Sequence, residues 1–163
     1  MGGIKMMSNK ELIEKYPFLI CRNRWTGEPI DGYEDVTELE ALPVGWKKAF
    51  GEQLCEEIQN ELNKMDPVLA SDYRILQIKE KYGSLCWYSN WTTTEIDKIL
   101  RKYEKISKRT CSYCGEPATH YTLNWISPYC SNCIKAFDNR ERIVPIEDYF
   151  KGDCSYEDNS EDI

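Results

Sequence analysis

Two Cys-x-x-Cys pairs, Cys111 with Cys114 and Cys130 with Cys133, are the residues whose type and spacing point most directly to chemistry, and fifteen residues separate the pairs. Four thiolates at this spacing suit a tetrahedral zinc ion, because each pair forms a tight knuckle whose sulfurs and amides converge on one point. Gly115, directly after the first pair, permits the backbone turn that a knuckle needs. Pro128 and Tyr129 lead into the second pair, and the run from Asn132 to Arg142 predicts a short helix that ends before Pro145. A ligand pair at a helix start, facing a knuckle across a hairpin, is a treble-clef arrangement. Four thiolates also close the coordination sphere, so the metal expected is one structural Zn2+ that folds the C-terminal third and performs no chemistry.

Other uses of these cysteines are weaker. The chain opens Met-Gly-Gly-Ile-Lys with no apolar signal segment, which argues for a reducing compartment and against disulfides. A redox pair would stand alone after a strand of a thioredoxin-like unit, and no such unit is visible. His120 is the single histidine, six residues after Cys114, where it either replaces a thiolate or packs against the knuckle. There is no phosphate-binding glycine loop and no nucleophile elbow, so no catalytic residue is expected and the chain is read as a non-enzyme. Of the remaining cysteines, Cys55 and Cys86 read as small buried hydrophobes, Cys21 stands alone, and Cys154 reads as exposed and oxidisable.

The elements that must position the cysteines follow from local pattern. Ser8 and Glu11 fit a capping box that starts a helix ended by Pro17, and Phe18–Cys21 reads as a short strand. Pro43 opens a longer helix in which Trp46, Phe50, Leu54, Ile58 and Leu62 recur every four residues with Cys55 beside them, a core stripe that Met65-Asp66-Pro67 stops. Residues 73–88 alternate around a Gly83-Ser84 turn and predict a β-hairpin, with Trp87 and Tyr88 on opposite faces. Thr92 and Glu95 fit a second capping box, opening a helix with Ile96, Ile99, Leu100, Tyr103 and Ile106 on one face. That helix runs straight into Cys111. The fold class is therefore α+β: a small antiparallel hairpin or sheet packed by two longer helices, with a C-terminal treble-clef-like zinc module. The domains are an α+β domain over 8–110, a docked four-cysteine zinc module over 111–145, and an acidic tail over 146–163 expected to be disordered.

Charge is uneven within the 163 residues. The formal total of −7 divides into −5 over residues 1–67, +4 over 68–110, zero over 111–143 and −6 over 144–163. Two candidate surfaces result. Glu52, Glu56, Glu57 and Glu61 form an acidic helix face that could meet a basic protein surface. Lys98, Arg101, Lys102, Lys105, Lys108 and Arg109 form a basic face, near Tyr82, Trp87, Tyr88 and Trp91, that could track phosphates and stack bases. No run approaches a membrane span, so a soluble cytoplasmic protein with no membrane partner is expected, its oligomeric state open.

Two resemblances attach to these residues. The stretch from Cys111-Ser-Tyr-Cys114-Gly115 through Trp125 to Tyr129-Cys130-Ser-Asn-Cys133 resembles GATA-type zinc fingers, which are treble clefs. It departs from them in intervening length and lacks their basic segment after the last cysteine, so DNA reading does not carry over. Over roughly residues 16–133 the chain is similar to small zinc-finger proteins encoded by bacteriophages and prophages. Tyr16-Pro17, Trp25, Gly45-Trp46, Leu54-Cys55-Glu56, and Gln77-Ile78-Lys79-Glu80-Lys81-Tyr82-Gly83 appear in order before the Cys-x-x-Cys-Gly unit. This implies a phage or mobile-element accessory protein that binds a macromolecular partner, most concretely a host defence protein that it inhibits. The alternative is a nucleic-acid-binding regulator using the basic helix.

Overall fold

Ser8 opens α1 (Asn9–Lys15) through the expected capping box: its hydroxyl accepts from the Glu11 amide at 3.2 Å, and the Glu11 carboxylate accepts from the Ser8 amide at 2.7 Å. The structure is a computed structural model that describes residues 5–152. After Tyr16 the chain makes a 3₁₀ turn, Pro17–Leu19, where a strand was expected. Phe18 and Leu19 are both buried. Two adjacent side chains entering one core need a helical turn, because a strand would send them to opposite faces.

Pro43 precedes α2 (Val44–Trp46), which passes through a π-helical turn, Lys47–Gly51, into α3 (Glu52–Asn63). The π turn has a reason in the sequence. Positions four apart overshoot a helix of about 3.6 residues per turn by about 40° at each step, so an unbroken α-helix would rotate the stripe away from the core. One widened turn resets it. Trp46, Phe50, Leu54, Cys55, Ile58 and Leu62 are consequently all buried. The residues that end α3 also start α4 (Pro67–Asp72): the Asp66 carboxylate accepts from the Val68 amide at 2.9 Å, with Pro67 in the first turn.

The hairpin pairs β1 (Ile75–Lys81) with β2 (Ser84–Ser89), Ile78 opposite Trp87 and Lys81 opposite Ser84. Its turn is Tyr82-Gly83, one residue earlier than expected, with φ of 51° and 74°. Two successive left-handed residues make the type I′ geometry that matches strand twist. Ile78 and Leu85 are buried, Trp87 packs on the core, and Tyr88 faces solvent.

Helix α5 (Thr94–Ser107) is capped by Thr93 rather than Thr92. The Thr93 hydroxyl accepts from the Ile96 amide at 3.2 Å, while Thr92 donates to Asp97 Oδ1 at 2.8 Å. Ile96 and Tyr103 are buried; Ile106, expected inside, is exposed, and Ser107 takes the inner position, its Oγ accepting from the Leu85 amide at 2.9 Å. That bond fastens α5 to the hairpin. The main core thus joins Leu12, Tyr16, Phe18, Leu39, the α3 stripe, Tyr73, Ile78, Leu85, Ile96 and Tyr103.

A second sheet has the order β4-β3-β5, with β3 (His120–Thr122) pairing antiparallel to β4 (Ser127–Tyr129) and β5 (Ile143–Pro145). Beyond it, Ile146–Lys151 forms α6, where a disordered tail was expected to begin. The Tyr149 ring stacks on Tyr121 at 4.0 Å and Ile146 is buried, so apolar contact orders this segment despite its charge. Residues 153–163, including Cys154, lie outside the described residues. Among the described residues, no helix is long and apolar enough to cross a membrane.

The two parts are joined by close backbone contact. The Gly45 amide donates to the Ser112 carbonyl at 2.9 Å, and the buried Trp46 indole donates to the Thr110 carbonyl at 2.9 Å. Trp46→Phe would leave that carbonyl unpaired and open a void. The expected cost is about 2–4 kcal/mol in urea unfolding, with helical content retained.

Candidate metal centre

The first knuckle hangs from the end of α5. Thr110 and Pro117 form a short antiparallel bridge, flanked by a Cys111 amide bond to the Glu116 carbonyl at 2.8 Å and an Ala118 amide bond to the Arg109 carbonyl at 2.9 Å. Inside that loop the Gly115 amide returns to the Cys111 carbonyl at 3.0 Å, and Gly115 has φ of 84°, as the spacing anticipated. The second knuckle follows β4: the Cys133 amide donates to Cys130 Sγ at 3.4 Å, and the Ile134 amide to the Cys130 carbonyl at 3.0 Å. Two bonds fix one knuckle against the other, the Ser112 amide to the Pro128 carbonyl at 3.0 Å and the Thr119 amide to the Tyr129 carbonyl at 2.9 Å.

The four sulfurs of Cys111, Cys114, Cys130 and Cys133 all lie within 4.8 Å of one another, and Cys114 Sγ is 3.6 Å from Cys130 Sγ. A tetrahedral ion about 2.3 Å from each sulfur has sulfur–sulfur edges of roughly 3.8 Å, so the donor set fits a metal ion. The four side chains alternate between buried and half-buried, Cys111 and Cys130 being the inner pair. The Cys133 amide holds the Cys130 thiol below its ordinary value, down to about 7, whereas burial pushes the Cys133 thiol up. Amide donors pointing at sulfur are what a thiolate needs once the proton leaves.

His120 is not a member of this cluster. It lies in β3, where Thr119 Oγ1 and His120 Nδ1 share a hydrogen bond at 2.8 Å. No family model, curated protein or solved structure matches this chain.

The helix expected from Asn132 to Arg142 is not formed. Cys133–Ala136 makes one 3₁₀ turn, after which Phe137 becomes extended and packs edge-on against Tyr129 at 4.8 Å. The Asp138 carboxylate then accepts from the Arg140 amide at 2.9 Å, a local turn that competes with helix and returns the chain as β5. The site is two knuckles beside a three-stranded sheet.

The two charged surfaces partly neutralise each other. Glu57 of the acidic set pairs with Lys102 of the basic set, across α3 and α5. Burial raises the Glu57 carboxyl, but hydrogen bonds from Lys102 and Tyr103 outweigh it and hold the group below its ordinary value. Glu52 pairs with Lys15 at 2.9 Å and Glu61 with Lys64 at 2.6 Å. On the basic face, Lys98 pairs with Glu95, Lys108 with Glu104 and Arg109 with Glu147. Among the described residues Glu56, Arg101 and Lys105 form no ion pair. Of the four aromatics near the basic helix, Trp87 and Trp91 pack on the core, leaving Tyr82 and Tyr88 exposed. Trp125 is exposed on the turn between β3 and β4, and its place between Asn124 and Ser127 is the sequence signal for that exposure.

Proposed function

We propose that the chain is a non-enzymatic binding protein for a protein partner, in which Cys111, Cys114, Cys130 and Cys133 hold one structural Zn2+. The observation that carries the zinc part of the reading is the convergence of four sulfurs with no fifth donor among the described residues, a set that would close the coordination sphere and give zinc a folding role. Thiolate donors favour zinc over calcium or magnesium, which take oxygen. Zinc would hold the knuckles that support β3–β5, and through Gly45 and Trp46 it would fix that unit on the main core. In its most specific form the partner is a host defence protein inhibited by a phage accessory protein; that form rests on the sequence resemblance.

A nucleic-acid partner is less well supported. Four of the six cations on or beside α5 already face carboxylates, and phosphate contacts require cations free to displace counterions. The test is a pull-down of the zinc-loaded protein from bacterial lysate, with and without nuclease. A stoichiometric protein that survives nuclease is the expected result. Recovery of nucleic acid alone, abolished by reversing Lys98, Arg101, Lys102 and Lys105, would overturn the reading.

A further inference from the structure

We propose that Arg22 and Arg74, brought together at Gly27, form a binding site for a phosphoryl group. The site goes beyond the binding-protein reading and does not depend on it. Two buried side-chain polar atoms among the described residues lack a hydrogen-bond partner, Glu57 Oε2 and Arg74 Nε. Glu57 has an account, since its other oxygen pairs with Lys102. Arg74 has none. Its side chain is 21% exposed, and its one ion pair, Nη1 to Asp72 Oδ1 at 3.7 Å, is too long for a hydrogen bond. Asp72 Oδ2 is meanwhile taken by the Asn90 and Trp91 side chains, at 3.3 and 3.2 Å. A guanidinium drawn this far out of water without acceptors destabilises the fold.

The backbone holds both arginines in place. The Arg74 amide donates to Asn90 Oδ1 at 2.9 Å, and its carbonyl accepts from the Asn90 amide at 3.1 Å. Its guanidinium lies against Gly27, where a Cβ would stand 2.7 Å from Nη1. Gly27 has φ of 75°, so glycine serves both the turn and the space. Arg22 reaches the same residue from the start of the loop, its Nη1 donating to the Gly27 carbonyl at 3.0 Å. The two Nη1 atoms are consequently no more than about 9 Å apart. One tetrahedral oxyanion spans roughly 8 Å between two donors. The loop is closed by Asn23, whose Oδ1 accepts from the Trp25 and Thr26 amides at 2.8 and 3.1 Å and whose carbonyl accepts from the Gly27 amide at 2.9 Å. The site is therefore formed before any ligand arrives.

The donors decide the ligand. Arginine has no acceptor, and its fork matches the oxygens of carboxylate and phosphate. Of all the N–H groups on the two forks, the described residues use one, for the Gly27 carbonyl. A planar carboxylate fills one fork. A phosphate monoester has oxygens for two forks approaching from different elements, and its charge of nearly −2 balances both. Arg22 borders two open clefts of about 310 and 230 Å³, through which solvent reaches the spot. Glu38 in the wall of the larger cleft and Glu28 in the loop form no ion pair with an arginine among the described residues. A phosphodiester backbone fits less well, because a nucleic acid needs a row of cations and this site holds one phosphoryl group.

The test titrates the zinc-loaded full chain at constant ionic strength with inorganic phosphate, phenyl phosphate, dimethyl phosphate and acetate. The Arg74 Nε–H resonance, identified by its loss in Arg74→Gln, is followed by NMR. Expected is a saturable shift with phosphate and phenyl phosphate, each at least tenfold tighter than dimethyl phosphate or acetate. Arg22→Gln should weaken phosphate at least tenfold, whereas Arg24→Gln, the same charge change on the same loop, should leave it within threefold. Phosphate should also raise the melting temperature of the wild type and leave that of Arg22→Gln unmoved. Phenyl phosphate tighter than phosphate by fivefold or more assigns the site to an ester, and parity assigns it to the free ion; both uphold the phosphoryl site. No shift with phosphate, equal affinity for all four anions, or equal losses in Arg22→Gln and Arg24→Gln would overturn the proposal.

Discussion

Gly45→Ala should be among the most damaging single substitutions in this chain, at about 3 kcal/mol or more, and it should detach the metal module rather than unfold the main core. A Cβ at position 45 would lie 2.3 Å from the Cys111 carbonyl oxygen, 2.7 Å from the Gly115 nitrogen and 2.8 Å from the Ser112 carbonyl carbon. All three are backbone atoms of the first knuckle, so no side-chain rotation relieves the clash, and overpacking against backbone exceeds the usual cost of an added methylene. The reverse approach is equally tight, since a Cβ on Gly115 would meet the Gly45 carbonyl at 2.7 Å. Gly51→Ala supplies the control. Its Cβ would meet only the Lys47 side chain, at 3.8 Å, within a helical stretch where alanine is preferred over glycine by about 1 kcal/mol, so that variant should be neutral or stabilised. Urea unfolding of the two variants with metal content measured beside it gives the comparison. A Gly45→Ala protein within about 0.5 kcal/mol of wild type would show that the knuckle does not seat on α2.

What the sequence disclosed follows from how far apart the deciding atoms lie along the chain. The Ser8–Glu11 capping box and the Trp46–Leu62 stripe depend on residues within one or a few turns, and both appear as expected. The four cysteines were legible for a related reason: each pair is local, and thiolate spacing admits few geometries. The three-residue strands β3, β4 and β5 escaped because nothing in so short a run exceeds the noise of propensity; β3 and β4 pair between the two knuckles, and β5 joins them only after the Asp138 turn. Gly45 escaped because its reason lies at Cys111, and no local pattern reports a contact across that distance. Charge misled in the same way. Glu57 and Lys102 read as members of two opposed surfaces, yet α3 and α5 pack side by side and the two groups meet, 45 positions apart. A charged stripe in sequence is therefore an upper bound on a charged surface. The short helix expected after Cys133 shows the opposite error, where a plausible local pattern lost to an Asp138 turn and a Phe137–Tyr129 contact.

With the proposed zinc held by the four thiolates, Cys114→Ser or Cys130→Ser should each release it and leave the chain folded in one part and loosened in another. Structural zinc contributes on the order of 10 kcal/mol of folding free energy to the unit that holds it, because the site is not preformed in the unfolded chain. The unit in question is bounded by its own hydrogen bonds: Cys111 to Glu116, Ser112 to Pro128 and Thr119 to Tyr129 all run between or within the knuckles. The main core draws its residues from Leu12 to Tyr103 and contains none of these. Loss of zinc should thus abolish amide exchange protection at Ser112 and Thr119 while sparing the amides of α3. Chelation of the wild type should reproduce that pattern, with one zinc released per chain. Trp46 provides an internal report, since its indole bond to Thr110 spans the two regions and should weaken with the module. If both serine variants keep a full equivalent of metal, the four-thiolate assignment fails. If the metal leaves and Ser112 and Thr119 stay protected, the knuckles are held by backbone pairing and by the seat at Gly45, and the ion is a ligand of a preformed site with no folding role.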